Sequence, residues 1–151
     1  IKFDLVPAVR QQWTGGFLIP DGKDGWMSTD PNQLADRLTN VNKRVGDNLV
    51  RRVLRLCKYW NKRKERSRIS SYELESAVVD TLPYVPYGYG QPTFSTYDGF
   101  LYCVREICGR YYSEFFHSTT PSILDSVIAA RRAMDYEGQL TWMNHLLPGI
   151  R

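Results

Sequence analysis

A chain of 151 residues, 42% of them hydrophobic, is long enough to bury a proper core. A mean hydropathy of −0.42 and the lack of any long apolar run exclude a membrane-spanning helix, and no secretory signal pattern is present. The formal charge of +4 is uneven: Lys43–Arg68 holds eleven basic residues against two acidic ones, leaving nine and fourteen elsewhere. A basic patch on an acidic body attracts phosphates, whether of nucleotides or of nucleic acid.

In Ile1–Arg10, Ile1, Phe3 and Leu5 alternate with Lys2, Asp4 and Val6, which predicts a strand, with Pro7 suited to its end. Gly15–Gly16 turns the chain, Phe17–Ile19 reads as the returning strand, and Trp26–Met27 as one more short strand. Asp30-Pro31-Asn32-Gln33 is a helix start, with Asp30 as N-cap and Pro31 at the first helical position. That helix carries Leu34, Leu38 and Val41 and ends at Gly46.

The stretch Asp47–Arg68 is the centre of the chain. Leu49, Val50, Val53, Leu54, Cys57 and Trp60 recur at three- and four-residue spacing, predicting a helix with one buried face. Arg51, Arg55, Lys58 and Lys62 line another face, which meets either a polyanion or only water. Ser70 or Ser71 caps a third helix whose apolar side is Tyr72, Leu74, Val78 and Val79. In the loop Thr81–Thr96, Tyr84, Tyr87 and Tyr89 have the chemistry to stack on bases, although covering a core edge is the commoner role for such residues. One long helix is predicted through Phe100, Leu101, Val104, Ile107, Cys108, Tyr111 and Phe115. Pro121 opens another, with Ile123, Leu124, Val127, Ile128 and Met134. After Gly138 a short last helix carries Trp142, Leu146 and Leu147 and stops at Pro148.

The fold class predicted is α+β, mainly α: an N-terminal β-hairpin followed by a helical bundle. Three cysteines without a CxxC pattern suit a reducing, cytoplasmic protein, and two histidines, His117 and His145, are too few for a zinc constellation. Asp4 is the one acid of the first strand and reads, by alternation alone, as facing solvent.

Four stretches in order, FDLVPAV, DGWMSTDP, LVRRVLRLCKYWN and SSYELE, resemble the second half of the polymerase-β-like nucleotidyltransferases. The nearest branch is the cGAS-like bacterial cyclic-oligonucleotide synthases, the CD-NTases; oligoadenylate synthases and archaeal CCA-adding enzymes are more distant. The run AARRAMDYEGQLTWMNHLLP is similar to that group's last helices. The resemblance implies an enzyme that makes cyclic or linear oligonucleotide second messengers of antiviral defence from ATP and GTP by two-metal phosphoryl transfer. It places Asp4 as a catalytic, Mg2+-ligating carboxylate, Lys58 and Ser71 on the donor triphosphate, and Tyr72, Arg51 and Arg55 around the nucleotide. It divides the chain into the end of a palm sheet (1–29) and a helical nucleotide-binding domain (30–151). The family's first two carboxylates follow a Gly-Ser motif that does not occur before Asp4, so the missing N-terminal palm half is an expected partner and the chain alone is expected to be inactive. Two other readings stay open: a non-catalytic helical module binding nucleic acid through Lys43–Arg68, and an RNA-directed nucleotide-adding enzyme.

Overall fold

The computed structural model describes residues 7–12, 16–20, 25–46, 48–84 and 95–149. Three short strands, β1 (Val9–Arg10), β2 (Phe17–Pro20) and β3 (Trp26–Thr29), form an antiparallel meander in sequence order. Leu18 pairs with Val9 on one side and with Ser28 on the other. The predicted strand over Ile1–Val6, and Asp4 with it, lies outside the described residues. The fold is thus mainly α with a small antiparallel sheet at its start, the third strand supplying the neighbour that a lone hairpin lacks.

Helix α1 (Pro31–Val45) starts as its sequence dictates: Asp30 Oδ1 accepts from the Asn32 and Gln33 amides at 3.0 and 3.3 Å. It stops at Gly46, whose φ of +84° only glycine adopts freely. The chain divides into two compact units, Ile1–Thr39 and Asn40–Arg151, with the boundary inside α1.

In the second unit α2 (Leu49–Arg63) packs on α3 (Ser71–Thr81) and α4 (Thr96–Arg110), α4 on α6 (Thr120–Arg132), and α6 on α7 (Tyr136–Leu146); α5 is the single turn Tyr112–Phe115. The apolar stripe predicted for α2 is the buried one: Leu49, Val50, Val53, Leu54, Cys57 and Trp60 are all in the core. Trp60 is fully buried and stacks on Phe115 with ring centroids 5.4 Å apart.

Five readings need correction. Tyr72 is exposed rather than part of the apolar side of α3, because Leu74, Ala77, Val78 and Val79 already fill that side. The long helix after the loop breaks at Tyr111, whose backbone leaves the helical region (φ −111°, ψ 45°), so Phe115 reaches the core from the separate turn α5. Met134 lies past the end of α6 at a positive φ and is exposed. The last helix begins before Gly138, not after it: Asp135 is its N-cap and accepts from the Gly138 amide at 2.8 Å. Tyr84, in a 3-10 turn over Leu82–Tyr84, is exposed and covers no core edge; Tyr87 and Tyr89 lie outside the described residues.

Candidate functional site

At 100° per residue, Arg51, Arg55, Lys58 and Lys62 fall within a narrow arc of α2 opposite its buried stripe, and all four are exposed. Among the described residues Arg51, Arg52, Arg55 and Lys62 have no ion-pair partner, whereas Lys58 Nζ pairs with Glu75 Oε1 on α3 at 2.5 Å. The Asn61 side-chain Nδ2 donates to the Ile69 carbonyl at 2.9 Å. The C-terminal half of α2 is therefore tied to the segment that leads into α3.

That segment is held from beneath. Glu65, almost fully buried, accepts from Ser118 Oγ at 2.8 Å, from Arg68 Nε at 2.7 Å and from Thr120 Oγ1. Trp60 Nε1 donates to the same Thr120 hydroxyl, and Arg68 also donates to the Glu114 carbonyl. A buried carboxylate is tolerable only when its oxygens are paired in this way. The network locks the turn after α2 to α5 and the start of α6, including the two successive residues Arg66 and Ser67 that take left-handed φ values. The Ser67 amide is anchored on the Asn61 carbonyl at 2.7 Å.

Between the two serines, Ser70 is the cap of α3. Its hydroxyl accepts from the Glu73 amide at 3.2 Å and its own amide donates to Glu73 Oε2 at 2.9 Å, a reciprocal capping box. The bonds from Ser70, backbone first and hydroxyl second, hold the Glu73 carboxyl below its ordinary range. Ser71 and Tyr72 are the next two residues, and their amides have no acceptor within the helix. An exposed hydroxyl, two open N–H groups and a helix start together make a surface suited to an anion.

Ser71 and Glu75 are four residues apart on α3, so they share a face about 6 Å apart along the axis. The ion pair with Glu75 thus ties Lys58 to α3 at a residue one helical turn after Ser71. Lys58 is paired with Glu75 of α3, while Ser71, one turn earlier on that helix, and the Tyr72 ring are exposed. Arg55 and Arg51 continue the stripe about 4.5 and 10 Å further along α2, away from that helix start. Lys62 is on the near side. Sequence reasoning left Glu75 and Lys62 out of the site, and an ion pair between two helices carries no local sequence signal.

Among the described residues no group of three or more His, Cys, Asp or Glu side chains has the arrangement to hold a metal ion. Asp4 lies outside the described residues. No described helix is long and apolar enough to cross a membrane.

One curated relative is similar to this chain: a probable cyclic nucleotide synthase of Bacillus cereus, 37% identical over 82 residues, which is 52% of this chain and 24% of that protein. The chain thus spans about a quarter of the length of the relative it matches. No family model matches the sequence, and no solved structure matches the chain.

Proposed function

We infer that this chain is the nucleotide-binding helical part of a nucleotidyltransferase that joins NTPs, ATP and GTP among them, into cyclic or linear oligonucleotides. The observation that carries the reading is the Lys58–Glu75 ion pair, which ties the cationic face of α2 to the first two turns of α3, where Ser71 is exposed. The similarity to a probable cyclic nucleotide synthase supports the same chemistry. In this reading the donor triphosphate lies across the Ser71 and Tyr72 amides with Lys58 as its counter-charge, and the Tyr72 ring is free to cover a base. Charge-assisted bonds to phosphate are worth roughly 1.5–3 kcal/mol each. Asp4 is assigned as a catalytic carboxylate and Mg2+ ligand completed by further carboxylates of the palm half. A reducing compartment such as the cytoplasm suits the three free, buried thiols.

The test is product analysis. Full-length protein incubated with labelled ATP and GTP and magnesium is expected to form oligonucleotides, to lose that activity in Asp4→Asn, and to bind nucleotide about tenfold or more weakly in Lys58→Ala. The 151-residue chain alone is expected to form none. Full-length protein without nucleotidyl transfer, or a Lys58→Ala variant with unchanged affinity, contradicts the reading.

A second reading has its own observation: Arg51, Arg52 and Arg55 are exposed and without ion-pair partners among the described residues, a surface that fits a nucleic-acid backbone. An affinity for RNA or DNA that falls steeply with salt and is lost in Arg51→Ala/Arg55→Ala would favour it.

A further inference from the structure

We propose that Glu75 is a positioning residue for Lys58: its carboxylate holds the ammonium beside the start of α3 before a phosphate arrives. The proposal rests on the assignment of Lys58 to phosphate and deepens it. Three observations carry it. The Lys58 Nζ to Glu75 Oε1 contact is 2.5 Å, and Lys58 alone among Arg51, Arg55, Lys58 and Lys62 is paired. The Glu75 side chain is only 25% exposed against 43% for Lys58, so the acid is the better-fixed member of the pair. Glu75 also shares its helix face with Ser71, one turn away, so the pair fixes Lys58 on the face of α3 that carries Ser71.

The physical need is specific. A lysine side chain has four rotatable carbons, and leaving it free makes each binding event order it anew. A carboxylate so near a phosphate subsite repels the incoming anion, a disadvantage that makes sense only if the acid does something for the lysine. An acceptor fixed on a helix presents the ammonium in advance and leaves two of its three N–H donors for the ligand. The ammonium need not leave Glu75 to take a phosphate.

The roles of acceptor and of charge separate by substitution. Glu75→Gln keeps an acceptor oxygen at the same reach and removes the negative charge. Glu75→Ala removes both. Isothermal titration of a non-hydrolysable ATP analogue into the full-length protein is expected to give Glu75→Gln an affinity equal to or above wild type. Glu75→Ala is expected to be about three- to tenfold weaker, the effect of setting one long side chain free. In a Lys58→Ala background the Glu75→Ala change should add no further loss. Thermal melts of each variant check folding, and a half-exposed pair leaves them close to wild type. Glu75→Ala binding as well as wild type, or the same Glu75→Ala loss in both backgrounds, overturns the positioning role while Lys58 stays on the phosphate. Unchanged affinity in Lys58→Ala overturns both assignments together.

Discussion

Trp60→Ala removes the side chain on which the helical unit closes. The ring is fully buried, stacks on Phe115 at 5.4 Å and donates from Nε1 to Thr120 Oγ1 at 3.3 Å. Truncating a buried Trp to Ala costs about 3–5 kcal/mol through lost transfer energy and the cavity left behind. The ring stack, worth roughly 0.5–1.5 kcal/mol, is lost with it. The hydroxyl of Thr120 keeps its bond to Glu65, so no buried polar atom is orphaned and the upper end of that range is not required. Against a typical total of about 5–15 kcal/mol, such a loss leaves a marginal fold. With each kcal/mol moving the midpoint by about 4 °C or more, melting should fall by at least about 12 °C. Trp60→Phe keeps a ring against Phe115 and forgoes the bond to Thr120, so it should cost about 1–2 kcal/mol. Melting followed by far-ultraviolet circular dichroism of wild type and both variants decides. A Trp60→Ala midpoint within a few degrees of wild type refutes the packing derived for α2, and equal effects of the two substitutions refute the role of the Phe115 stack.

Three other outcomes follow from particular contacts. Burial pushes the Cys108 thiol up to about 12, and burial with the neighbouring Cys103 pushes Cys57 well above the usual thiol range. With all three side chains buried, the cysteines should resist a thiol reagent at pH 8 in the native protein and react together in denaturant; rapid native labelling would contradict their burial. Burial raises the Asp98 carboxyl, but bonds from Ser95 and the Arg131 guanidinium outweigh it and hold the group below the ordinary carboxylate range. A depressed carboxyl stabilises the fold above its unfolded pKa and ceases to do so as pH falls through the folded one. The stability gap between wild type and Arg131→Leu should therefore shrink below about pH 4, and a gap constant from pH 7 to pH 2 would refute the pairing. At Gly138 a methyl group would sit 2.0 Å from Asp135 Oδ2, so Gly138→Ala should break the cap of α7 and cost about 1 kcal/mol in urea unfolding, against no loss if the cap is dispensable.

The parts of the fold legible in the sequence are those set by local rules. The α2 stripe, the Asp30 start and the Gly46 stop of α1, and the strands around Phe17 and Trp26 each follow from periodicity or from capping chemistry within a few residues. What escaped depends on contacts distant in sequence. The break at Tyr111 follows no proline or glycine signal; it lets Phe115 reach Trp60, fifty-five positions earlier. Glu65 reads as one acid in a basic run, and only the approach of Ser118 and Thr120 shows why it is buried. At the candidate site, Lys58 and Ser71 were legible as a helix face and a helix start. Glu75 was not, because an ion pair across two helices depends on how they pack.

The claim on which the rest depends is that the start of α3 and Lys58 form one triphosphate site. Two-dimensional amide spectra of 15N-labelled protein during titration with inorganic tripolyphosphate test it directly. The amides of Ser71 and Tyr72 are expected to shift together and to saturate with one midpoint, and Lys58→Ala is expected to move that midpoint to about tenfold higher ligand or more. Saturable binding that leaves Ser71 and Tyr72 unmoved, or that is the same without Lys58, would contradict the account.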